Sequence, residues 1–505
     1  NKWWLPSNQP RLTLYPIEDN RPEWTETPQY PPLFDYSKPD SNLMRKRLQW
    51  YEEIKALPTT EMKLFEITDK YRHRSVIFKN WAPNYDYLNL YQHTTRTHLI
   101  RNKLPSNYVD IDCKQYIESV KEAILDAIRC HKYEVNRENF TNFRPILVHS
   151  DLRLDVATDE NLIQDINSVC QKVLAPHFPH LFKAQVDHCA DVSSWWWHQC
   201  PPFTKRKHLS SIVNQSVQYL SEAVVQLRTD EPLPPIIEFD DPLCINSDVP
   251  HFPAHPVKDG FILKWNFLKC SPGFWSLDKN NKFDFPYLCY LSRNPIKLRE
   301  KLLSRSYPDA AEFFDAMGVM HGFGWLNAVS AMHGFTPYQE ITYPFTTHII
   351  ITDGQFWNFF VYQMNTHSFH SDIDRNDRRN VCWSSGEMKL YDTYENGEFK
   401  GINEAVIENL IKFMIRKPEP FANVEVRPYL GEDTRSEEEV NLTRTYLRRR
   451  FGQALTHKER YLLSQMRVFP YEKVHIRHHL APPTVLWRMP YKKKIPFPTE
   501  CFTRC

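Results

Sequence analysis

Residues 346–352 (TTHIIIT) and 355–363 (QFWNFFVYQ) are two near-continuous runs of β-branched, aliphatic and aromatic side chains, with only Asp353-Gly354 between them. Asp-Gly suits the positive-φ positions of a tight two-residue turn, so the pair reads as a β-hairpin. A hairpin with one face in water alternates apolar and polar residues; here both faces are apolar. Such a hairpin has to lie inside the core. Residues 308–334 are the most apolar helical stretch of the chain. Ala310, Phe314, Met317, His321, Ala328 and Met332 step at helical spacing and the other faces are largely apolar too. That describes a buried central helix, kinked near Gly322 and Gly324.

Around this centre the patterns are mixed. Helices are expected over 42–55, 60–71, 159–174 and 208–227. Another follows Asp112, whose carboxylate can cap a stripe of Ile117, Val120, Ile124 and Ile128. Asn403 caps a helix over 403–416 that stops at Pro418. Between 231 and 295, short apolar runs such as 236–239 and 261–268 are broken by Pro and Asp, which suggests strands and loops. Residues 1–40 hold eight prolines and should be extended. The fold class expected is α+β, with helices packed around a sheet that contains the aromatic hairpin. Its parts are an extended Pro-rich segment (1–41), a helical N-terminal region (42–110), a globular core (111–431) and a basic arm (432–505), helical and then extended.

The 505 residues suffice for a sizeable core, and 41% hydrophobic with 25% charged residues is globular composition. No apolar run is long enough to span a bilayer. The eleven cysteines include no C-x-x-C pair and several sit in apolar runs, so reduced, buried thiols are expected rather than a disulfide framework. The chain begins with Asn1 and not Met, which would fit a cleaved organelle transit peptide.

A formal net charge of +2 conceals a split: residues 441–505 carry +11 and residues 111–440 carry −12. An acidic body with a basic arm is the distribution expected where the arm meets a polyanion. The arm opens with a capping box, Ser436-x-x-Glu439, and repeats the pattern at Thr456-x-x-Glu459. It mixes cations with rings such as Tyr446, Phe451, Trp487 and Tyr491. RNA binding asks for cations that track phosphates and rings that stack on bases. Arg444, Arg448, Arg449, Arg450, Arg477, Arg488, Lys492, Lys493 and Lys494 are therefore the candidate RNA-binding residues. The competing reading folds the rings back on the body and leaves the charges in water.

Nothing else asks for chemistry. There is no G-x-x-x-x-G-K loop and no G-x-S-x-G elbow. Asp372-x-Asp374-x-Asn376 starts like a calcium loop, but position six is Asp377 and position twelve is Trp383, so a solvated polar loop is the better reading. His188, Cys189, His198 and Cys200 are ligand types at a spacing that matches no zinc module. His367 and His370 read as a polar loop, His475, His478 and His479 suit phosphate better than a cation, and His321 reads as a satisfied core histidine. No catalytic residue, cofactor or metal is assigned.

At the hairpin the sequence resembles a known family. ITDGQF (351–356), YQMNT (362–366), NVCW (380–383), KLYDT (389–393), KGIN (400–403) and 413–418 are similar to the programmed cell death protein nine family of mitochondrial ribosomal proteins, formerly small-subunit protein thirty. The likeness is dense over 325–418 and weaker near Tyr30-Pro31-Pro32 and the helices to Leu104. It implies a non-enzymatic constituent of the mitochondrial large ribosomal subunit, in the matrix. Its implied partners are mitochondrial ribosomal RNA, the paralogous large-subunit protein thirty-seven and other mitochondrial ribosomal proteins. Two alternatives stay open: a metal-dependent RNA-modifying enzyme with a site at 188–200, and a free mitochondrial scaffold or signalling protein.

Overall fold

The computed structural model describes residues 41–451, apart from 70–72, 80–86, 135–149, 201–212, 253–262, 267, 275–281, 294–309, 396 and 422–423. The Pro-rich segment before Ser41 and the arm beyond Phe451 lie outside the described residues.

The helices are α1 (Ser41–Ala56), α2 (Thr60–Leu64, continued by a π turn through Asp69), α3 (Tyr87–Thr95), α4 (Ser106–Val109), α5 (Lys114–Glu134), α6 (Ser150–Leu174), α7 (Pro179–Lys183), α8 (Pro242–Ile245), α9 (Ala310–Met332), α10 (Glu404–Ile415) and α11 (Glu437–Phe451). The strands are β1 (His73–Lys79), β2 (Thr97–Ile100), β3 (Gln185–Cys200), β4 (Val213–Thr229), β5 (Leu263–Asn266), β6 (Ser271–Pro272), β7 (Phe285–Ser292), β8 (Phe345–Thr352), β9 (Phe356–Met364), β10 (Asn380–Lys389), β11 (Thr393–Glu395) and β12 (Glu398–Lys400).

Among the described residues, ten strands form one mixed sheet in the order β2-β10-β9-β8-β7-β4-β1-β5, with β3 branching from β4 and β6 pairing with β3. The hairpin β8–β9 is central to it. Its turn is closed by Asp353, whose Oδ1 accepts the Gln355 and Phe356 amides at 3.0 and 2.7 Å, and Gly354 takes φ +88°. Alternate residues then face opposite layers. Ile349, Ile351, Phe360, Tyr362 and Cys382 pack under α9, while Ile350, Trp357, Phe359, Val361 and Val381 pack against α5, α6 and α10. The molecule is therefore an α+β structure in three layers, and the apolar character of both hairpin faces has its cause in that sandwich.

Helix α9 is continuous, and its glycines are close-approach positions. A Cβ on Gly318 would meet the Phe360 ring at 2.6 Å and one on Gly322 the Tyr362 ring at 2.5 Å; one on Gly324 would strike Tyr219. The aromatic strands lie directly on the helix backbone because no side chain intervenes. At the far end of α9, Ala328 and Met332 join Tyr51, Ile54, Leu64, Ile67 and Trp195 in a third cluster that fastens α1 and α2 to the body.

Two expected elements are corrected. The expected helix over 208–227 is not formed where it is described: 213–229 is strand β4, paired with β3 along its length and with β1 and β7 on its other edge, while 208–212 lie outside the described residues. With both faces and both edges occupied, β4 shows no alternation, and its apolar spacing fits a helix equally well. Residues 236–239 form a turn and not a strand, because the Ile236 and Ile237 amides are taken by the Gln363 side chain at 2.7 and 3.2 Å. The expected run 261–268 contains β5, and the region 42–110 contributes β1 and β2 to the sheet as well as helices.

Candidate nucleic-acid interface

The root of the basic arm is built on α1 and α2. The segment leading to α11 returns across them, and the Gly431 amide donates to the Pro58 carbonyl at 2.9 Å. Lys63 is buried beneath it. Its Nζ donates to the carbonyls of Lys55 (3.0 Å), Gly334 (3.3 Å) and Tyr429 (2.7 Å), so all three ammonium protons are placed. Burial, helped by Lys55, brings its pKa down to about 8. Beside it Glu61 is only 3% exposed. Its two oxygens accept from Arg444 Nε at 2.9 Å and from Arg435. Arg435 is held in turn by Asp433 through a 2.8 Å bond from Nε.

Helix α11 starts as its sequence demands. The Ser436 amide donates to Glu439 Oε2 at 3.1 Å and the Glu439 amide to Ser436 Oγ at 3.3 Å, a reciprocal capping box. Arg444 thus turns its Nε edge toward Glu61, and any phosphate would be met by the rest of its guanidinium. Arg448, Arg449 and Arg450 share α11; their side chains, like Arg477, Arg488 and Lys492–Lys494, lie outside the described residues, as do Thr456–Glu459 and His475, His478 and His479. Glu61, Lys63 and Arg435 were not legible as a unit, because they are 374 residues apart at the widest pair.

The other candidate sites come apart or close up. Strand β3 separates His188 from Cys200 by twelve residues, about 40 Å of extended chain, so those four side chains cannot share an ion. Among the described residues, no group of three or more His, Cys, Asp or Glu could hold a metal ion. His198 instead packs edge-on against His93, with ring centroids 5.1 Å apart, and burial is the main cause of a pKa lowered to about 3. The loop at 372–376 is not solvated as expected. Asp372 is buried and ion-paired with Arg47 at 3.0 Å, and Asp374 pairs with Arg96. His367 and His370 are buried too, His367 donating from Nε2 to the Gln339 carbonyl at 3.0 Å.

His321 lies 3.1 Å from Cys289 Sγ through Nε2 and 3.1 Å from Ser221 Oγ through Nδ1. A nucleophilic Cys–His pair needs a thiolate and an imidazolium. Burial here pushes the thiol well up and the imidazole down to about 3, so both are neutral. The pair is a hydrogen-bonded core network, as the sequence reading of His321 implied. No helix among the described residues is long and apolar enough to cross a membrane.

The family described as mitochondrial 28S ribosomal protein S30 (PDCD9) matches residues 12–418. The match takes in the sheet, the layers on both its faces and the Pro-rich segment from residue 12, and it stops before the segment that leads to α11. The chain belongs to this family of mitochondrial ribosomal proteins.

Proposed function

We propose that the chain is a structural constituent of the mitochondrial large ribosomal subunit, working in the matrix to support translation. The family match over residues 12–418 carries the mitochondrial ribosomal part of this reading, and the large-subunit and matrix assignments are what the resemblance at 325–418 implies. In it the three-layer body is a rigid platform. The arm reaches ribosomal RNA through Arg444, Arg448, Arg449, Arg450, Arg477, Arg488, Lys492, Lys493 and Lys494, and the surface of the body packs on neighbouring ribosomal proteins, including the paralogous large-subunit protein thirty-seven.

The charge split supports the RNA part, since +11 on 65 residues favours a polyanion whatever its sequence. The ion pairs at Glu61 support a fixed departure point, because a tether positions its cargo only if its root is held. The established family and the closed core histidines together favour binding over catalysis.

Sedimentation of mitochondrial lysate tests the reading. The chain is expected to travel with the large subunit and to move to the top of the gradient after ribonuclease treatment. Migration with the small subunit, or free at the top without ribonuclease, would refute it.

A further inference from the structure

A groove of about 590 Å³ runs between α1 and the segments at 338–340 and 373–375, with Tyr429 at its end. It belongs to the described body and shares no residue with the arm. Arg45 lines it from α1 and Arg375 from the 373–375 segment; both are exposed, and neither has an ion pair among the described residues. Lys55 also lines it, 5.6 Å from the Tyr429 ring. Two carboxylates line the groove as well, and each has a partner other than Arg45 and Arg375. Glu52 pairs with Lys55 at 3.6 Å, and Glu340 accepts from Thr366 Oγ1 at 3.2 Å while desolvation raises its pKa.

Two exposed guanidiniums without ion pairs in one groove are a complement to phosphate, and Arg is suited to phosphate by its planar fork of donors. The floor is firm: Tyr51 and Tyr338 stack at 4.0 Å and are buried, so they give shape and not a free ring. Tyr429 is half-buried and keeps part of its ring at the groove. The volume holds one or two nucleotides and is far too small for a duplex, which is about 20 Å across.

We propose that this groove docks the backbone of a single-stranded RNA segment, with Arg45 and Arg375 each meeting a phosphate and a base lying against Tyr429. The proposal deepens the ribosomal reading and rests on it, but it uses residues the arm does not. Both arginines are exposed and unpaired, so replacing them leaves the fold intact.

The test is fluorescence anisotropy of the full-length protein with a 5′-fluorescein oligouridine RNA of about a dozen nucleotides, a length within single-strand site sizes, across a range of potassium chloride. Arg45→Gln/Arg375→Gln is expected to lose about tenfold in affinity. It should also flatten the log–log salt slope by about 1.4, the value for two phosphates of a single strand. A Lys492→Gln/Lys493→Gln/Lys494→Gln variant serves as the arm control. If the groove variant binds like the wild type while the arm variant weakens, the groove proposal is overturned and the arm reading stands. If the groove variant weakens and the arm variant does not, the groove holds and the arm assignment falls. Wild-type protein with no RNA affinity would overturn both. A fluorescein-labelled oligoglutamate peptide of matching length that bound as tightly as the RNA, and weakened equally in the groove variant, would replace RNA with an acidic peptide as the occupant.

Discussion

A carboxylate as deeply buried as Glu61 loses most of its hydration, so it needs matched cations or it will be protonated or expelled. Arg444 and Arg435 supply them, and both remain partly exposed, which screens the pairs and keeps their worth modest. Glu61→Gln leaves two guanidiniums facing a neutral amide. It is expected to lower the unfolding free energy by about 1–3 kcal/mol in urea titration and to speed amide exchange in α11. Unchanged α11 protection would show that the clamp does not hold the arm root. The buried histidines give a second residue-scale expectation. His198, His321 and His348 have pKa values lowered to about 3, and His333 and His367 to about 4, with burial the leading cause in each. The unfolded chain regains the ordinary value of about 6.5 and so binds more protons below it. Stability from these groups is complete above about pH 6.5 and is lost as pH falls from there toward 4 and 3. Each histidine contributes a slope approaching about 1.4 kcal/mol per pH unit. The urea midpoint should therefore fall steeply between about pH 7 and pH 5, and a flat profile would mean these side chains reach water in the native state.

Elements show where a sequence speaks and where it falls silent. The β8–β9 hairpin was readable because Asp353-Gly354 permits little else and because its apolar runs are too short for buried helices. The Asn403 cap and the Ser436–Glu439 box were readable because their bonds close within three residues. Strand β4 was not, since its neighbours β1 and β7 on the second edge are distant in sequence and the cover on both faces erases the period-two signal. The polar loop at 372–376 was misread because Arg47 and Arg96, which take Asp372 and Asp374 out of solvent, lie some 280 to 325 residues earlier. The α9 glycines sit between these cases. Their clustering was visible, but the rings that require it were not, so a kink looked as reasonable as a close approach. Gly318→Ala makes the distinction. An alanine gains about 1 kcal/mol of helix propensity, and crowding Phe360 costs more, so a net loss of about 1–3 kcal/mol is expected. Phe360→Leu in the same chain should recover part of that loss, as a double-mutant cycle would measure. Simple additivity of the two would mean that helix and ring do not touch.

On the scale of the whole molecule the basic segment lies wholly beyond the end of the family match. Residues 12–418 carry the family match, and the strongly basic residues 441–505 lie past its limit. Under the proposed function, protein packing by the body and polyanion contact by the arm would be separable by salt. Protein–protein packing through apolar surface depends weakly on ionic strength, whereas phosphate contact releases one counterion for nearly every cation engaged. Replacing Arg477, Arg488, Lys492, Lys493 and Lys494 by glutamine removes five cations, all at positions beyond the described residues. The full-length variant should melt within a degree or two of the wild type, while its log–log salt slope for ribosomal RNA falls in magnitude by about 3.5 to 4.5. In a mitochondrial gradient it should leave the ribosomal particle at lower salt than the wild type. An unaltered slope with an unaltered melting temperature would assign those five charges to solvent, and the body alone would then have to account for every contact the chain makes in the particle.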